Sequence, residues 1–318
     1  MHGLVIRSTG NSCIVLTDEG IRVECQIKGN FRIRDIKSTN PVAVGDRVKI
    51  TIPEGNEPAF ITDIDERRNY IVRRSSNLSK QSHILACNLD QCLLVATISH
   101  PETSTVFIDR FLATAQAYRV PVILLFNKRD LLSDEECRKA DELCSLYSGI
   151  GYRCIQCSIL QDSGLEELDD ILRDKVTLVS GNSGVGKTTL INRLLPELDL
   201  RTGKISDKHD TGMHTTTFSE MFNLPEGGWI IDTPGVKGFG SFDMSSDEIS
   251  HYFPEIFSCS CNCRYGNCTH TTEPGCAVKD AVSTGKIHQS RYNSYLSMLN
   301  DESQGKYRKE LLNQGTGR

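Results

Sequence analysis

Over the first 75 residues, apolar and polar positions alternate in short runs: GLVIRSTGNSCIVLT, IRVECQIKG, VGDRVKITI and AFITDIDERRNYIV. A period of two sends successive side chains to opposite faces of a strand. Turn formers separate the runs at Thr9-Gly10-Asn11, Asp18-Glu19-Gly20 and Gly29-Asn30. Short strands at this spacing predict a small closed β-barrel over residues 1–75. An OB-fold is the first expectation and an SH3-like barrel the second.

A polar stretch, RRSSNLSKQSH, breaks the alternation at 73–83 and reads as a linker. From Leu89 the pattern changes. QCLLVATIS reads as a buried strand, TVFIDRFLATAQAY an amphipathic helix, and VPVILLF another strand. A helix then opens at Ser133 with Glu136 three residues on, the spacing of a capping box. GYRCIQCSI, GLEELDDILRD, VTLVSG and GKTTLINRLL continue as strand, helix, strand and helix. This alternation predicts a parallel sheet covered on both faces, over residues 76–240. Residues 241–318 hold a cysteine cluster and then AVKDAVSTGKIHQSRYNSYLSMLNDE, one or two helices.

Composition narrows the class. At 318 residues, with 38% hydrophobic and 24% charged positions, the chain has ordinary globular proportions for two or three domains. Its start, MHGLVIRSTGNSC, lacks a basic segment followed by an apolar core, so no secretory signal is expected. No apolar run approaches the roughly 18 residues of a membrane span. A cytoplasmic protein with no membrane partner is the expectation. Net charge is −5, which argues against a general nucleic-acid coat, yet residues 1–84 hold 13 Lys+Arg against 10 Asp+Glu. A mildly basic barrel suits contact with RNA phosphates. Of 13 cysteines, five fall between Cys259 and Cys276. That cluster has the look of a metal site; the scattered remainder reads as buried thiols, Cys154 and Cys157 included.

Four motifs carry chemistry. GNSGVGKTT, residues 181–189, fits G-x-x-x-x-G-K-[ST] between a strand and a helix. Its loop, Gly181, Asn182, Ser183, Gly184, Val185 and Gly186, can turn backbone N–H groups toward phosphate oxygens at the positive end of the following helix. Lys187 would reach the β- and γ-phosphates, the Thr188 hydroxyl would ligate magnesium, and Thr189 completes the loop. WIIDTPG ends a second apolar strand, placing Asp232 near magnesium and the Gly235 N–H near the γ-phosphate. Between them, GMHTTTF offers a mobile threonine for the magnesium shell. Thr215, Thr216 and Thr217 all qualify, with Thr216 favoured. Finally, Asn127-Lys128-x-Asp130 follows VPVILLF. The Asp130 carboxylate can accept from guanine N1–H and its exocyclic amine, a donor pair that adenine lacks. Asn127 can meet N7 or brace the loop, and Ser158 is a candidate backbone contact to O6.

These are the parts of a GTPase with guanine recognition first and the phosphate loop later. A circular permutation explains the order at little cost when the new break falls in a loop. The order and its flanks resemble the RsgA/YjeQ family of circularly permuted GTPases of small ribosomal subunit biogenesis. The likeness runs over nearly the whole chain, through VGDRV, ILACNLDQCLLVATISHP, FIDRFL, NKRDLL, GNSGVGKTTLIN, GMHTTT, DTPGV and CTHTTEPGCAV. It implies an N-terminal OB-fold, a permuted P-loop GTPase domain and a C-terminal zinc-binding domain. It also implies the small (30S) ribosomal subunit and its 16S rRNA as partners beside GTP and GDP.

Val236 follows DTPG where a Ras-like protein has its water-orienting glutamine, so another group must position the water. His214 is the sequence candidate, and the resemblance gives the histidine there that role. Slow intrinsic turnover, raised by a partner, is expected. In the cysteine cluster, Cys263, Cys268, His270 and Cys276 offer three thiolates and one imidazole, a closed structural set for one tetrahedral zinc. The family pattern uses these four positions, with Cys259 and Cys261 competing for the first. A movement near Asp232–Gly235 would pass through residues 236–258 to this domain. Arg291, Tyr292 and Tyr295 either contact rRNA or pack their helix onto its own domain. A monomer is expected, since no dimer seam is visible. The competing class is a GTP-regulated binding switch for another RNA or protein.

Overall fold

The computed structural model describes residues 1–9, 12–27, 41–53, 58–74, 82–198, 219–232 and 244–314. Five strands, β1 (His2–Ser8), β2 (Ser12–Thr17), β3 (Arg22–Ile27), β4 (Arg47–Thr51) and β5 (Ala59–Ile64), form the first body. Their order is β1-β2-β3-β5-β4, and an additional β1–β4 pairing closes the ring. β3 and β5 run parallel, and the other barrel pairs are antiparallel. This is the five-stranded OB arrangement and not the SH3-like alternative. The alternation read from sequence fills its interior with Val5, Cys13, Val15, Cys25, Val48, Ile50 and Ile61.

Residues Tyr70–Arg74 (β6), whose alternation reads as part of the barrel, pair instead with β7 (Ser82–Cys87) in a two-stranded ribbon. The reason is local. Period two fixes which face a side chain takes, but not which strand lies alongside. A buried clasp holds the ribbon against the barrel. Asp46 accepts from Arg67 Nε and Nη2 at 2.6 Å each, from the Ala43 N–H at 2.8 Å and from the Cys87 thiol at 3.0 Å. A bidentate pair with its remaining lone pairs occupied is the form in which a buried ion pair is tolerated.

The second body is an α/β sheet built from β8 (Gln91–Thr97), β9 (Val122–Asn127), β10 (Arg153–Gln156), β11 (Val176–Ser180), β12 (Glu220–Asn223) and β13 (Trp229–Asp232). Strands β10-β9-β8-β11-β13 are neighbours in that order and all parallel, and β12 is antiparallel to β13. Residues along β8 and β9 alternate between two cores. Cys92, Leu94, Ala96, Leu124 and Phe126 face one side with helices α1 (Thr105–Ala117) and α2 (Asp134–Ile150). Leu93, Val95, Ile123 and Leu125 face the other with α3 (Leu168–Leu172) and α4 (Lys187–Leu194). The capping box appears as read: the Ser133 side chain accepts from the Glu136 N–H, and the Glu136 carboxylate from the Ser133 N–H. β12 also pairs with β1, at Arg7 and Glu220, so the barrel continues the sheet edge.

The third body contains α5 (Pro254–Ser260), α6 (Ala277–Ser283) and α7 (Gln289–Gln314). The segment AVKDAVSTGKIHQSRYNSYLSMLNDE is therefore two helices. Their core of Phe253, Ile256, Val278, Ile287 and Tyr295 includes Ala113 of α1, so this body rests on the α/β sheet's helix layer. No helix among the described residues is long and apolar enough to cross a membrane.

Candidate active site and metal centre

Five adjacent parallel strands bring their carboxyl ends to one edge, where an open α/β sheet binds ligands. β11 ends there in the phosphate loop. Gly181, Gly184 and Gly186 all have positive φ, at 144°, 82° and 106°. A Cβ on Gly181 would stand 2.2 Å from the Val95 carbonyl oxygen, and one on Gly186 only 2.4 Å from Asn127 Nδ2. Only glycine fits either place. Ser183 and Gly184 are exposed at the loop's tip, Asn182 is half-buried, and Val185 points into the core below. Lys187 opens α4 and donates from Nζ to the Gly181 and Asn182 carbonyls at 2.8 and 2.6 Å. Burial lowers its pKa, and nearby Asp232 partly restores it. An ammonium that burial disfavours gains most from an anionic ligand.

Asn127 ends β9 almost fully buried and ties the guanine motif to the phosphate loop. Its Nδ2 donates to the Val185 carbonyl at 2.8 Å, and its Oδ1 accepts from the Ile159 N–H at 3.0 Å. Of the two roles open to it, bracing is the one its atoms perform here. Lys128 follows in a left-handed conformation, φ 68°, and donates to the His100 carbonyl. Asp130 lies half-exposed in the next turn, residues Arg129–Leu131, and the Arg129 N–H reaches the Cys157 carbonyl at 3.0 Å. Ser158 is buried, and its N–H donates to the Ser163 carbonyl at 2.9 Å. That donor is committed within its own loop in this structure.

Asp232 ends β13 directly beside β11, in register with Val179. Thr188, in the first turn of α4, and Asp232 are oxygen donors on the same edge, a donor set that fits magnesium. His214, Thr216 and Gly235 lie outside the described residues, as do Thr215, Thr217 and Val236. Sequence reasoning did not single out the loop between β8 and α1. Its Pro101 ring lies 3.4 Å from where a Cβ on Gly184 would be, and its His100 receives Lys128. The signal for it is the SHP tripeptide at the end of an apolar strand.

The metal candidates also converge. The ligand atoms of Cys263, Cys268, His270 and Cys276 all lie within 4.8 Å of one another. His270 Nδ1 is 3.6 Å from Cys263 Sγ and 3.5 Å from Cys276 Sγ, and the two sulfurs are 4.0 Å apart. Tetrahedral zinc with ordinary bond lengths needs separations of about 3.6 Å for N–S and about 3.8 Å for S–S. The set fits zinc. Cys259 is buried in the α5 core and Cys261 is exposed with its thiol on the Ser258 carbonyl, so neither belongs to the cluster. Glu273 orders the ligand loop by accepting from the Thr269 and Thr271 N–H groups at 2.8 and 2.9 Å. Tyr295 and Tyr292 hydroxyls donate to the Thr269 and His270 carbonyls at 2.8 and 2.6 Å.

Those tyrosines and Arg291 therefore pack their own helix. Arg291 and Tyr295 are each 1% exposed, which removes them as RNA contacts. Arg291 pairs with Asp109 of α1 at 2.8 Å and with Glu255 of α5 at 2.6 Å. Burial opposes its charge, but the two carboxylates more than offset that and raise its pKa.

Comparisons with known proteins identify the family. The family described as RsgA GTPase matches residues 64–242, and the RsgA N-terminal domain matches residues 2–61. A Phocaeicola vulgatus protein named small ribosomal subunit biogenesis GTPase RsgA is 62% identical over 309 residues, 97% of this chain and 99% of that protein. A protein of the same name from Bacteroides fragilis is 61% identical over 308 residues, 97% of this chain and 99% of its own. The crystal structure of YjeQ from Thermotoga maritima superposes with a TM-score of 0.75 at 34% identity, covering 95% of this chain and 98% of that one. YloQ, a circularly permuted GTPase, superposes with a TM-score of 0.71 at 28% identity, covering 95% of both chains. The chain belongs to the RsgA family of circularly permuted GTPases.

Proposed function

We propose that this GTPase binds the small ribosomal subunit through its 16S rRNA during late maturation, hydrolyses GTP to GDP and phosphate there, and then leaves. The observation that supports the nucleotide site is the Asn127 bridge, which joins the guanine motif to the phosphate loop although 58 residues separate Asn127 from Val185. Asp130 reads the guanine edge, and Asn127 and Lys128 hold its loop. Residues 181–189 wrap the phosphates, with the Lys187 ammonium drawn from the loop carbonyls toward the phosphoryl oxygens. Gly235 senses the γ-phosphate. His214 orients the attacking water, which Val236 cannot do.

Magnesium, when bound with GTP, would supply positive charge to offset the phosphate charge; Thr188, Thr216 and Asp232 are the residues that would hold it. Zinc is the metal that Cys263, Cys268, His270 and Cys276 would hold, with no open position for catalysis. The protein works in the cytoplasm as a monomer. The competing class, a switch for another RNA or protein, has no particular observation in its favour.

Sedimentation with purified small subunits tests this reading. Co-sedimentation is expected with a non-hydrolysable GTP analogue and loss of it with GDP. Equal binding in both states, or equal binding to large subunits, would refute the ribosomal cycle.

A further inference from the structure

Beyond its nucleotide loops, the GTPase body meets the C-terminal body along α1 and α7. Asp109 Oδ1 accepts from Arg291 Nη1 at 2.8 Å and from the Tyr147 hydroxyl at 2.8 Å. Arg110 donates from Nη2 to Ser297 Oγ at 2.7 Å and to Asp301 Oδ2 at 2.5 Å. At its other end α1 grows out of the loop carrying His100 and Pro101. Thr97 pins that loop, donating to the Pro101 carbonyl at 2.5 Å while its N–H reaches Thr103 Oγ1 at 3.1 Å. Ser104 caps α1 by accepting from the Phe107 N–H. The loop and the first turn of α1 thus form one stiff piece. That piece is bonded to the nucleotide site at Lys128, and its Pro101 ring stands beside the phosphate loop, 3.4 Å from where a Cβ on Gly184 would be.

On the far side, α7 also holds the metal-ligand loop through Tyr292 and Tyr295. The α1–α7 contact has spare pairing capacity. Asp109 Oδ2, Arg110 Nε, Thr114 Oγ1 and Ser294 Oγ are buried with no hydrogen-bond partner among the described residues. Ser294 lies one turn beyond Arg291, on the same side of α7. A fully satisfied buried network locks one arrangement, whereas unused donors and acceptors leave a second pairing open after a small slip.

We propose that Arg291, from the C-terminal body, is a positioning residue for the guanine nucleotide, acting through Asp109 and α1 on the His100–Pro101 loop. Grip on a partner at the C-terminal body and grip on the nucleotide are then linked through packed helices, without passage through residues 233–243. Linkage is reciprocal, so a partner that changes nucleotide affinity through α7 has its own affinity changed by bound nucleotide by the same factor. The inference rests on the nucleotide-site reading above.

The test is a fluorescence titration with N-methylanthraniloyl-GDP on the full chain, with ATP as competitor control. Arg291→Met should weaken binding by about 2- to 30-fold. Zinc content should stay at one per chain, and Arg291→Lys should recover part of the loss. A double-mutant cycle with Lys128→Met separates positioning from general weakening. If Arg291 acts through the loop that Lys128 grips, the two losses are less than additive; strict additivity overturns the proposal. Should Arg291→Met fail to fold, Arg110→Met cuts the same interface at a partly exposed residue and decides the matter alone. Unchanged affinity in that variant, with wild-type protein binding normally, overturns the inference. Wild-type protein that shows no preference for the guanine probe over ATP sinks the nucleotide-site reading instead.

Discussion

Replacing Asn127 with alanine removes the side chain that, among the described residues, hydrogen-bonds the guanine loop to the phosphate loop. Two strong buried hydrogen bonds go with it, to the Val185 carbonyl and from the Ile159 N–H, besides a weak one from the Cys157 thiol. Each orphaned buried group costs roughly 1–3 kcal/mol, so the pair costs about 2–6 kcal/mol. Loops that open to solvent recover part of this, which points to the lower half, about 2–4 kcal/mol. If the bridge exists to pre-organise the nucleotide site, that sum falls on binding, and GDP affinity drops roughly 30- to 1000-fold. Asn127→Asp is a sharper companion. It keeps the acceptor for Ile159 but sets a carboxylate oxygen against the Val185 carbonyl, where the amide was 2.8 Å away. Both variants can be titrated with fluorescent GDP, and nucleotide-free protein can be followed by calorimetric unfolding. A fall in stability with affinity changed less than about threefold would refute the reasoning, because Asn127 would then be a framework residue only.

Three further outcomes follow from the same geometry. Gly181→Ala should abolish GTP binding, because its Cβ would lie 2.2 Å from the Val95 carbonyl at φ 144°; equilibrium dialysis with labelled GTP measures it, and retained binding contradicts the loop geometry. Asp130→Ala should cost GTP far more than ATP, so the ratio of their competition constants against labelled GDP should collapse; an unchanged ratio would mean that Asp130 does not read the base. Cys276→Ser should lower zinc stoichiometry by elemental analysis and speed amide exchange across residues 254–299, while GTP binding persists at reduced affinity; full zinc retention would remove Cys276 from the ligand set.

How far the sequence spoke depended on how local each feature is. The capping box at Ser133, the two-faced apolar run of β8 and the glycines of the phosphate loop all follow from neighbours within a few residues, and each appears where the sequence places it. Pairings across the chain were not legible. Nothing in NYIVRR distinguishes a barrel strand from the ribbon with β7, and nothing in β1 announces that its edge takes β12. Arg291 shows the same limit at one residue. An arginine beside two tyrosines on a polar helix suits a nucleic-acid surface, until Asp109, 182 positions earlier, supplies a buried partner. The metal set was half legible. Residue types and spacing point to zinc, but only the fold of α5 turns Cys259 inward and leaves Cys261 outside. His214 and Thr216 rest on sequence and family likeness, since they lie outside the described residues.

The most direct test of the whole account is steady-state hydrolysis of GTP and of ATP by the purified protein, alone, with small ribosomal subunits, and with large subunits as control. The account predicts slow GTP turnover alone and a rise on the order of 10³-fold or more with small subunits. It predicts little ATP hydrolysis under any condition. GTP hydrolysis that ignores the small subunit, or that large subunits stimulate equally, would contradict it.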